Sequence, residues 1–299
     1  PATAAQDIAR VLDRCLHDSR PVYLEIPRDM VLTEIGEVPV FTPAQGNPEA
    51  AQSAAREVLM RLAAADNPVL MVGVEAKRYG LEAQVTTLAQ KLRIPVTTSF
   101  MSRGLLAGQD VPLVGTYLGA AGKPEVSDLV EGSDCLLMLG VIVSDTNFGV
   151  SGGKIDMRNA IHAFDGQVRV GLHFYPDVLL EDFLDALIAE AKPLGQAEHR
   201  ADSSSLGPLQ VDGEPIHPMD IARGINELFA RHGVMPMTSD MGDCLFTAMD
   251  IDNTELAAPG YYASMGFGVP GGLGVQAATG RRPLILVGDG AFQMTGWEI

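Results

Sequence analysis

The sequence predicts an α/β protein built from open parallel-sheet domains with flanking helices. Short apolar segments alternate with amphipathic helical segments, a pattern typical of parallel strands joined by crossover helices. Two predicted strands, PVLMVGV (68–74) and CLLMLG (135–140), have no polar side chain, which is expected when helices cover both faces of a sheet. Two segments rich in proline, glycine or serine interrupt the pattern and predict a division into domains.

The predicted elements divide the chain into five stretches, of which only the third holds a complete set. Residues 1–30 end near the short strand PVYLEIP, and residues 31–47 form a linker. Residues 48–191 hold the central domain, residues 192–215 a second linker, and residues 216–299 the beginning of another domain. Because the first and last stretches have too few elements to bury a core alone, we expect the chain to be a fragment of a longer protein.

Each element has its own signal in the sequence. The central stretch begins with the helix PEAAQSAAREVLMRLAAA, whose proline suits a first helical turn. Then follow the strand PVLMVGV, the helix LEAQVTTLAQKLR, the strands IPVTTS, CLLMLG and IHAFD, and the helix VLLEDFLDALIAEA. We expect these strands to form one complete parallel sheet. The last stretch holds the helix PMDIARGINELFARH, the strand VMPMTSD, the helix GVPGGLGVQAATG and the strand PLILVGDG.

The composition predicts a globular protein with neither a nucleic-acid nor a membrane partner. The 299 residues are 46% hydrophobic and carry a formal net charge of −17, whereas nucleic-acid binding relies on clustered lysine and arginine. No apolar run is long enough to span a bilayer, so we expect a cytoplasmic protein. Three cysteines and six histidines are scattered without metal-ligand spacing, which argues against a zinc site or a disulfide framework.

A single acid between two glycines marks the end of the last predicted strand. In LILVGDGAFQMTGWEI, Asp289 follows an apolar parallel strand, at the sheet edge where open α/β folds bind ligands. The next residues can begin a helix whose free N–H groups favour an anion at the same edge. A carboxylate there would repel the anion unless a cation such as Mg²⁺ bridges the two. The pattern therefore indicates a metal-bridged diphosphate.

Two other interpretations of this region stay open. Asp289 could instead cap the last helix while its glycines form the turn. The segment GFGVPG (266–271) also matches the G-x-G-x-x-G fingerprint of a nicotinamide-binding dehydrogenase. The residues before Gly266 include a proline and no run of valine or isoleucine, so the strand that this fingerprint needs is not predicted. A structure with no strand directly before Gly266 would exclude the dehydrogenase.

Longer segments resemble thiamine-diphosphate-dependent 2-oxo acid decarboxylases. YYASMGFGVPGGLGVQAATGRRPLILV and GDGAFQMTGWEI resemble their diphosphate-binding domain, and RPVYLEIPRDMV resembles the closing strand of their pyrimidine-binding domain. SDMGDCLFTAMD, RYGLEA and SDTNF are most similar to the phenylpyruvate and indolepyruvate decarboxylases. The resemblance covers the whole chain and implies thiamine diphosphate and Mg²⁺ as cofactors, a 2-oxo acid substrate, and a homodimer or homotetramer. The chemistry would then belong to the cofactor, which acts as electron sink for the loss of CO₂.

The resemblance implies cofactor-binding roles for a set of residues near the end of the chain. These are Met241, Gly242, Asp243, Ala263, Met265, Asp289, Gly290 and Ala291. Asp289 would ligate Mg²⁺, and the backbone N–H groups of Gly290 and Ala291 would bind the diphosphate. Met265 would lie under the thiazolium ring, and the carbonyl of Ala263 would accept a hydrogen bond from the amino group of the cofactor.

On the substrate side, the resemblance implies that Met241 and Phe246 face an aryl group. The family's other metal ligands, its activating glutamate and its active-site histidines have no counterpart in this sequence. We therefore expect the fragment alone to be inactive and assign no catalytic residue to it. A second candidate is an acetolactate synthase-like carboligase, which has the same architecture and often holds a flavin. The strand VLMVGV is followed by EAKRYG and not by a glycine-rich phosphate loop, which gives a flavin little support.

Overall fold

A computed structural model describes residues 2–40, 45–149, 154–164, 166–197, 206–260 and 262–299. Its helices are α1 (Ala4–His17), α2 (Pro48–Ala64), α3 (Glu75–Arg78), α4 (Glu82–Leu92), α5 (Pro124–Glu131), α6 (Asp145–Phe148), α7 (Leu180–Glu190), α8 (Pro218–His232), α9 (Asp243–Ala248), α10 (Gly268–Thr279) and α11 (Asp289–Thr295). Its strands are β1 (Pro68–Val72), β2 (Val96–Ser99), β3 (Leu113–Tyr117), β4 (Cys135–Leu139), β5 (Ile161–Phe164), β6 (Gln167–Val170), β7 (His173–Pro176), β8 (Met237–Ser239), β9 (Leu256–Ala257) and β10 (Leu284–Leu286).

The central part of the chain forms a seven-stranded sheet in the order β3-β2-β1-β4-β5-β6-β7. The strands from β3 to β5 in this order pair in parallel, with Leu70 of β1 opposite Val96 on one side and Leu137 on the other. This part of the sheet confirms the mostly parallel α/β class. The position of β1 inside the sheet, between β2 and β4, explains why its sequence is apolar throughout, because helices pack on both of its faces.

The prediction of a wholly parallel sheet is wrong at one edge. Strand β6 runs antiparallel to both β5 and β7. The connection between β6 and β7 consists of Gly171 and Leu172 alone, with Gly171 at a φ of +61°. Two residues are too few for a parallel crossover but suit a hairpin, and the positive φ explains the glycine. The sequence analysis missed β6 and β7, and it also missed β3.

Two hydrophobic clusters cover the faces of this sheet, and alternate residues of β1 contribute to each. Leu70 and Val72 join the larger cluster with residues of α2, α4 and α7. Val69 and Met71 join the smaller one, which includes Val126 of α5. Because successive side chains of a strand point to opposite faces, both clusters are built from the same apolar run.

The last part of the chain forms a smaller parallel sheet in the order β10-β8-β9. Helix α10 packs on it so closely that a Cβ at Gly272 would collide with the side chain of Ile285. Thr238 of β8 adds a hydrogen bond of 3.0 Å from its Oγ1 to the carbonyl oxygen of Gly268. The glycines of α10 therefore serve close helix-to-sheet packing.

The two sheets are joined through a short segment after β2. Arg103 is only 6% exposed, and its Nη2 donates to the carbonyl oxygen of Ile251 at 2.8 Å. At Gly104, which has a φ of +87°, a Cβ would collide with the backbone carbonyl of Thr254. We call the seven-stranded sheet and its helices the central unit. These contacts hold the central unit against the segment that leads into β9.

The predicted strand PVYLEIP is also wrong, since residues 21–27 pair with no other strand among the described residues. A strand needs a hydrogen-bonded neighbour, and these side chains are largely exposed, Tyr23 to 80%. Strand IHAFD is confirmed over Ile161–Phe164, while Asp165 lies outside the described residues. The described parts of the two linkers contain neither helix nor strand, although the domain boundaries themselves stay predictions. No helix of the described ranges has the length and apolar character to cross a membrane.

Candidate functional site

The carboxyl ends of β8 and β10 bring two acids to the same edge of the small sheet. Asp240 directly follows β8, and its N–H donates to the carbonyl oxygen of Leu286, the last residue of β10, at 2.8 Å. Asp289 begins α11 three residues after Leu286. Parallel strands end at one edge, and in open α/β sheets that edge is where ligands bind.

The two acids have opposite environments. Asp289 is exposed, and its Oδ1 accepts a hydrogen bond of 2.8 Å from the N–H of Gly290. Within the described part of the chain, the second oxygen of Asp289 accepts no hydrogen bond. The N-cap of α11 is Gly288, and no side chain caps this helix. The interpretation of Asp289 as a helix cap is therefore wrong, and its carboxylate faces open space with a free oxygen.

The backbone around Asp289 is open to a ligand. A Cβ at Gly288 or Gly290 would meet no atom within 4 Å, and the same is true of Gly242, the N-cap of α9. Ala291 is buried in the first turn of α11, where backbone N–H groups lack a helical acceptor. This combination of open glycines, a helix start and an exposed carboxylate fits a diphosphate and its cation. The N–H of Gly290, one of the predicted diphosphate donors, is engaged by Asp289 in this state.

Hydrogen bonds fix the loop that carries Ala263 and Met265. Ala263 has a φ of +63°, in the left-handed region that a residue with a Cβ seldom adopts, and its N–H donates to the carbonyl oxygen of Pro259 at 2.9 Å. Met265 is 59% exposed, so its side chain is free to support a ligand at this edge. Thr295 of α11 donates from Oγ1 to the carbonyl oxygen of Gly266 at 2.9 Å. The loop thus lies beside α11, as the predicted cofactor site requires.

Asp240 is the residue that the sequence analysis missed. Its side chain is buried, with the residue 1% exposed. Oδ1 accepts hydrogen bonds from the N–H groups of Met241 at 3.0 Å and Gly266 at 3.1 Å, and Oδ2 accepts one from Gly268 at 2.8 Å. The available signal was similar to the one that identified Asp289, namely an acid at the end of a predicted strand and close to a glycine.

The predicted substrate residues lie on the side of this edge that faces the central unit. Met241 packs against a small buried cluster made of Phe100, Leu118 and Leu245. Phe246 is 50% exposed. Asp243 begins α9 next to Cys244, whose thiol pKa is raised by burial and by the charges of Asp240 and Asp243. A thiol with a raised pKa is a poor nucleophile, so Cys244 adds no reactive group to the site.

The nicotinamide-binding interpretation is wrong. Strand β9 ends at Ala257, and none of the described residues between it and Gly266 belongs to a strand. The N–H groups of Gly266 and Gly268 are engaged by the carboxylate of Asp240. They are therefore not available to a pyrophosphate, which is the task of these glycines in a dinucleotide fingerprint.

A complete metal site is absent from the described residues, among which no group of three or more His, Cys, Asp or Glu side chains could hold an ion. A cation at Asp289 would need further ligands from the diphosphate, from water, or from residues outside this sequence.

An open sheet edge with an exposed acid, glycines and a helix start is the arrangement at which many α/β proteins bind anionic small molecules. Comparison with known proteins gives the family. Residues 55–179 match the central domain of the thiamine pyrophosphate enzymes, and residues 240–299 match their C-terminal TPP binding domain. The chain therefore belongs to the thiamine pyrophosphate enzymes.

Curated relatives cover the chain from end to end. It is 53% identical over 304 residues to an indole-3-pyruvate decarboxylase of Azospirillum brasilense, covering 100% of this chain and 55% of the relative. It is 25% identical to a pyruvate decarboxylase of Candida glabrata, over 100% of this chain and 55% of the relative. A pyruvate decarboxylase isozyme 2 of Saccharomyces cerevisiae is 26% identical over 96% of this chain and 54% of the relative. The chain thus spans about half the length of these relatives.

Proposed function

We propose that the whole protein is a thiamine-diphosphate- and Mg²⁺-dependent decarboxylase of 2-oxo acids, with an aryl substrate such as indolepyruvate or phenylpyruvate. The observation that carries the proposal is the open carboxyl edge of the small sheet, where Asp289 presents an unpaired oxygen between two unobstructed glycines. The identity of 53% to an indole-3-pyruvate decarboxylase supports the reaction class. By the same resemblance, the proposal includes a cytoplasmic homodimer or homotetramer.

In this proposal, Asp289 binds Mg²⁺ through the oxygen that it does not use for Gly290. The cation neutralises the repulsion between this carboxylate and the diphosphate, and the start of α11 adds the N–H group of Ala291. Gly242 and Asp243 lie beside the cofactor, where the open space at Gly242 permits a close approach of the backbone.

Ala263 and Met265 hold the organic part of the cofactor. The left-handed backbone at Ala263 sets the direction of its carbonyl, which accepts a hydrogen bond from the amino group of the aminopyrimidine. Met265 supports the thiazolium ring with its exposed side chain. When bound, the cofactor supplies the electron sink for loss of CO₂, and the residues of this chain bind it and orient it.

Met241 and Phe246 exclude water from the substrate side and contact the aryl group. Phe246 offers an exposed ring that stacks on Phe100, and Met241 is an adaptable apolar side chain that packs against the cluster containing Phe100. Apolar contacts of this kind favour a ring over the methyl group of pyruvate.

The carboligase is the weaker candidate, because the end of β1 leaves no space for a flavin phosphate. A Cβ at Gly73 would collide with the backbone of Gly140, and the N–H of Glu75 donates to the carbonyl oxygen of Gly140 at 3.1 Å. Glu75 itself is a buried acid at this position, which opposes an anion.

An assay of the purified whole protein tests the proposal. With thiamine diphosphate and Mg²⁺ present, indolepyruvate or phenylpyruvate should yield CO₂ and the corresponding aldehyde in equal amounts. Omission of either cofactor should abolish the reaction after dialysis against a chelator. Formation of acetolactate from pyruvate as the main product, or a bound flavin, would support the carboligase and contradict the proposal.

A further inference from the structure

Asp240 connects three pieces of backbone that the proposed cofactor site needs in a fixed arrangement. Its two carboxylate oxygens accept hydrogen bonds from the N–H groups of Met241, Gly266 and Gly268. These groups belong to the segment before α9, to the loop that carries Met265, and to the first turn of α10. One buried side chain therefore ties the end of β8 to the loop and to a helix start.

Besides the contacts with Asp240, the loop is held by hydrogen bonds from the N–H of Ala263 to the carbonyl oxygen of Pro259 and from Oγ1 of Thr295 to the carbonyl oxygen of Gly266. Met265 is 59% exposed and gains little from packing. Ala263 and Gly266 have φ values of +63° and +84°, and for a residue with a Cβ this region is unfavourable. The strongest constraints act on Gly266, whose N–H is held by Asp240 and whose carbonyl is held by Thr295. Met265 directly precedes Gly266, so these two hydrogen bonds also restrict the backbone of Met265.

Only a carboxylate can make all of these contacts. Each oxygen of Asp240 faces at least one N–H donor, so both positions must accept hydrogen bonds. An asparagine has one accepting oxygen, and its NH₂ group would face a donor N–H at the other position. A side chain at position 268 would crowd this contact, because a Cβ there would lie 3.3 Å from Oδ2 of Asp240.

We propose that Asp240 is a positioning residue that holds the loop of Ala263 and Met265 in its binding shape before thiamine diphosphate arrives. The inference rests on the proposed function. Its physical basis is preorganisation, because a loop that is ordered in the free protein loses less conformational entropy when the cofactor binds. Asp240 acts through the backbone and does not touch the cofactor.

The test compares Asp240→Asn with Asp134→Asn in the whole protein. Asp134 is a matched control, because its carboxylate also accepts two backbone hydrogen bonds, from Asp66 and Asn67 at 2.8 Å each, but in the central unit. Two quantities are measured for each variant. They are the hydrogen exchange of the Gly266 and Gly268 amides without cofactor, and the Kd of thiamine diphosphate at saturating Mg²⁺.

Asp240→Asn should speed exchange at both amides and raise the Kd by about tenfold or more, as the loss of one hydrogen bond to a charged group implies. Asp134→Asn should lower the unfolding temperature and leave both quantities unchanged. A Kd for Asp240→Asn within a factor of two of the wild type would overturn the proposal, since a purely structural role changes stability alone.

If Asp240→Asn does not fold, amide hydrogen exchange in the wild-type protein tests the proposal. Protection of the Gly266 and Gly268 amides in the cofactor-free wild type supports the inference, and exchange at the rate of an unstructured peptide overturns it. Failure of the wild type to bind thiamine diphosphate would instead contradict the proposed function. The exchange comparison would still show whether the hydrogen bonds of Asp240 hold the loop.

Discussion

The ring of Phe246 stacks on the ring of Phe100, with their centroids 6.2 Å apart and their planes inclined by 18°. Phe100 lies just after β2 and is 7% exposed, whereas Phe246 lies on α9 and is 50% exposed. One face of Phe246 is thus held by the central unit while part of its ring remains free. The central unit therefore fixes a residue that we assign to the substrate side.

We expect the whole protein to prefer phenylpyruvate over pyruvate by roughly two to three orders of magnitude in kcat/KM, because a buried aryl group gains far more apolar contact than a methyl group. Phe246→Ala should reduce this preference. Phe100→Ala should reduce it less, by about the 0.5–1.5 kcal/mol that an aromatic pair contributes. Steady-state kinetics with both substrates give the ratios. A wild-type protein that prefers pyruvate would show that Phe246 serves packing alone.

Gly104→Ala should destabilise the protein far more than Gly108→Ala. Both glycines have positive φ values, of +87° and +70°, but a Cβ at Gly104 would collide with the carbonyl of Thr254 while one at Gly108 meets open space. The unfavourable backbone conformation of alanine alone should lower the free energy of unfolding by about 1 kcal/mol. The collision should raise this loss in Gly104→Ala to about 3 kcal/mol or more. Urea unfolding of the two variants measures the difference. Equal losses would mean that the two units do not pack as described.

His162 should make the protein less stable as the pH falls below neutrality. Burial lowers the pKa of this side chain, an effect that Arg169 on the paired strand increases, although Nε2 donates to the carbonyl oxygen of Val141 at 2.7 Å. The unfolded chain therefore binds a proton at a higher pH than the folded protein does. Stability from neutral His162 is present above the unfolded pKa of about 6.5 and is lost as the pH falls through the lower folded pKa.

The measurement is the free energy of unfolding between about pH 7.5 and pH 5.5, a window that brackets the ordinary histidine pKa. His162→Gln should show a smaller decline over this window than the wild type. Hydrogen-bonded carboxylates such as Glu57, whose pKa is lowered by its hydrogen bonds with His173 and Tyr175, titrate at lower pH and do not obscure the comparison. Parallel curves for the two proteins would refute the assignment to His162.

Most of the parallel part of the fold could be predicted from the sequence because β1 and β4 are apolar at every position and the helices between the strands are amphipathic. It did not predict the antiparallel hairpins, whose strands are short and mix polar with apolar residues, as in QVRV and HFYP. The local signals were the glycines at the two tight connections, Gly166 in the pair Asp-Gly before β6 and Gly171 after it. The segment PVYLEIP has a strong strand pattern but no partner strand among the residues that the structure describes, and pairing cannot be inferred from propensity alone.

The position of Asp289 at the sheet edge could be predicted because the acid follows an apolar strand and has glycines on both sides, whereas its ligands stay predictions. Asp240 was overlooked because its function depends on the N–H groups of Gly266 and Gly268, which are far away in the sequence. Those same glycines suggested a dinucleotide fingerprint, and only the hydrogen bonds to Asp240 reveal that their N–H groups are already engaged. Tertiary hydrogen bonds of this kind leave no periodic signal in a sequence.

The binding of thiamine diphosphate to the whole protein, measured by calorimetry with and without Mg²⁺, tests the central claim most directly. The comparison uses Asp289→Asn and Glu255→Gln, which remove the same charge. Glu255 is exposed and pairs with Arg281 at 2.6 Å, immediately before β9 and thus away from the carboxyl edge. Asp289→Asn should abolish Mg²⁺-dependent binding with little loss of stability, because its side chain is exposed and would bind the cation that bridges it to the diphosphate. Glu255→Gln should bind as the wild type does. Unchanged, Mg²⁺-dependent binding in Asp289→Asn would contradict the assignment of the metal and of the diphosphate to this edge.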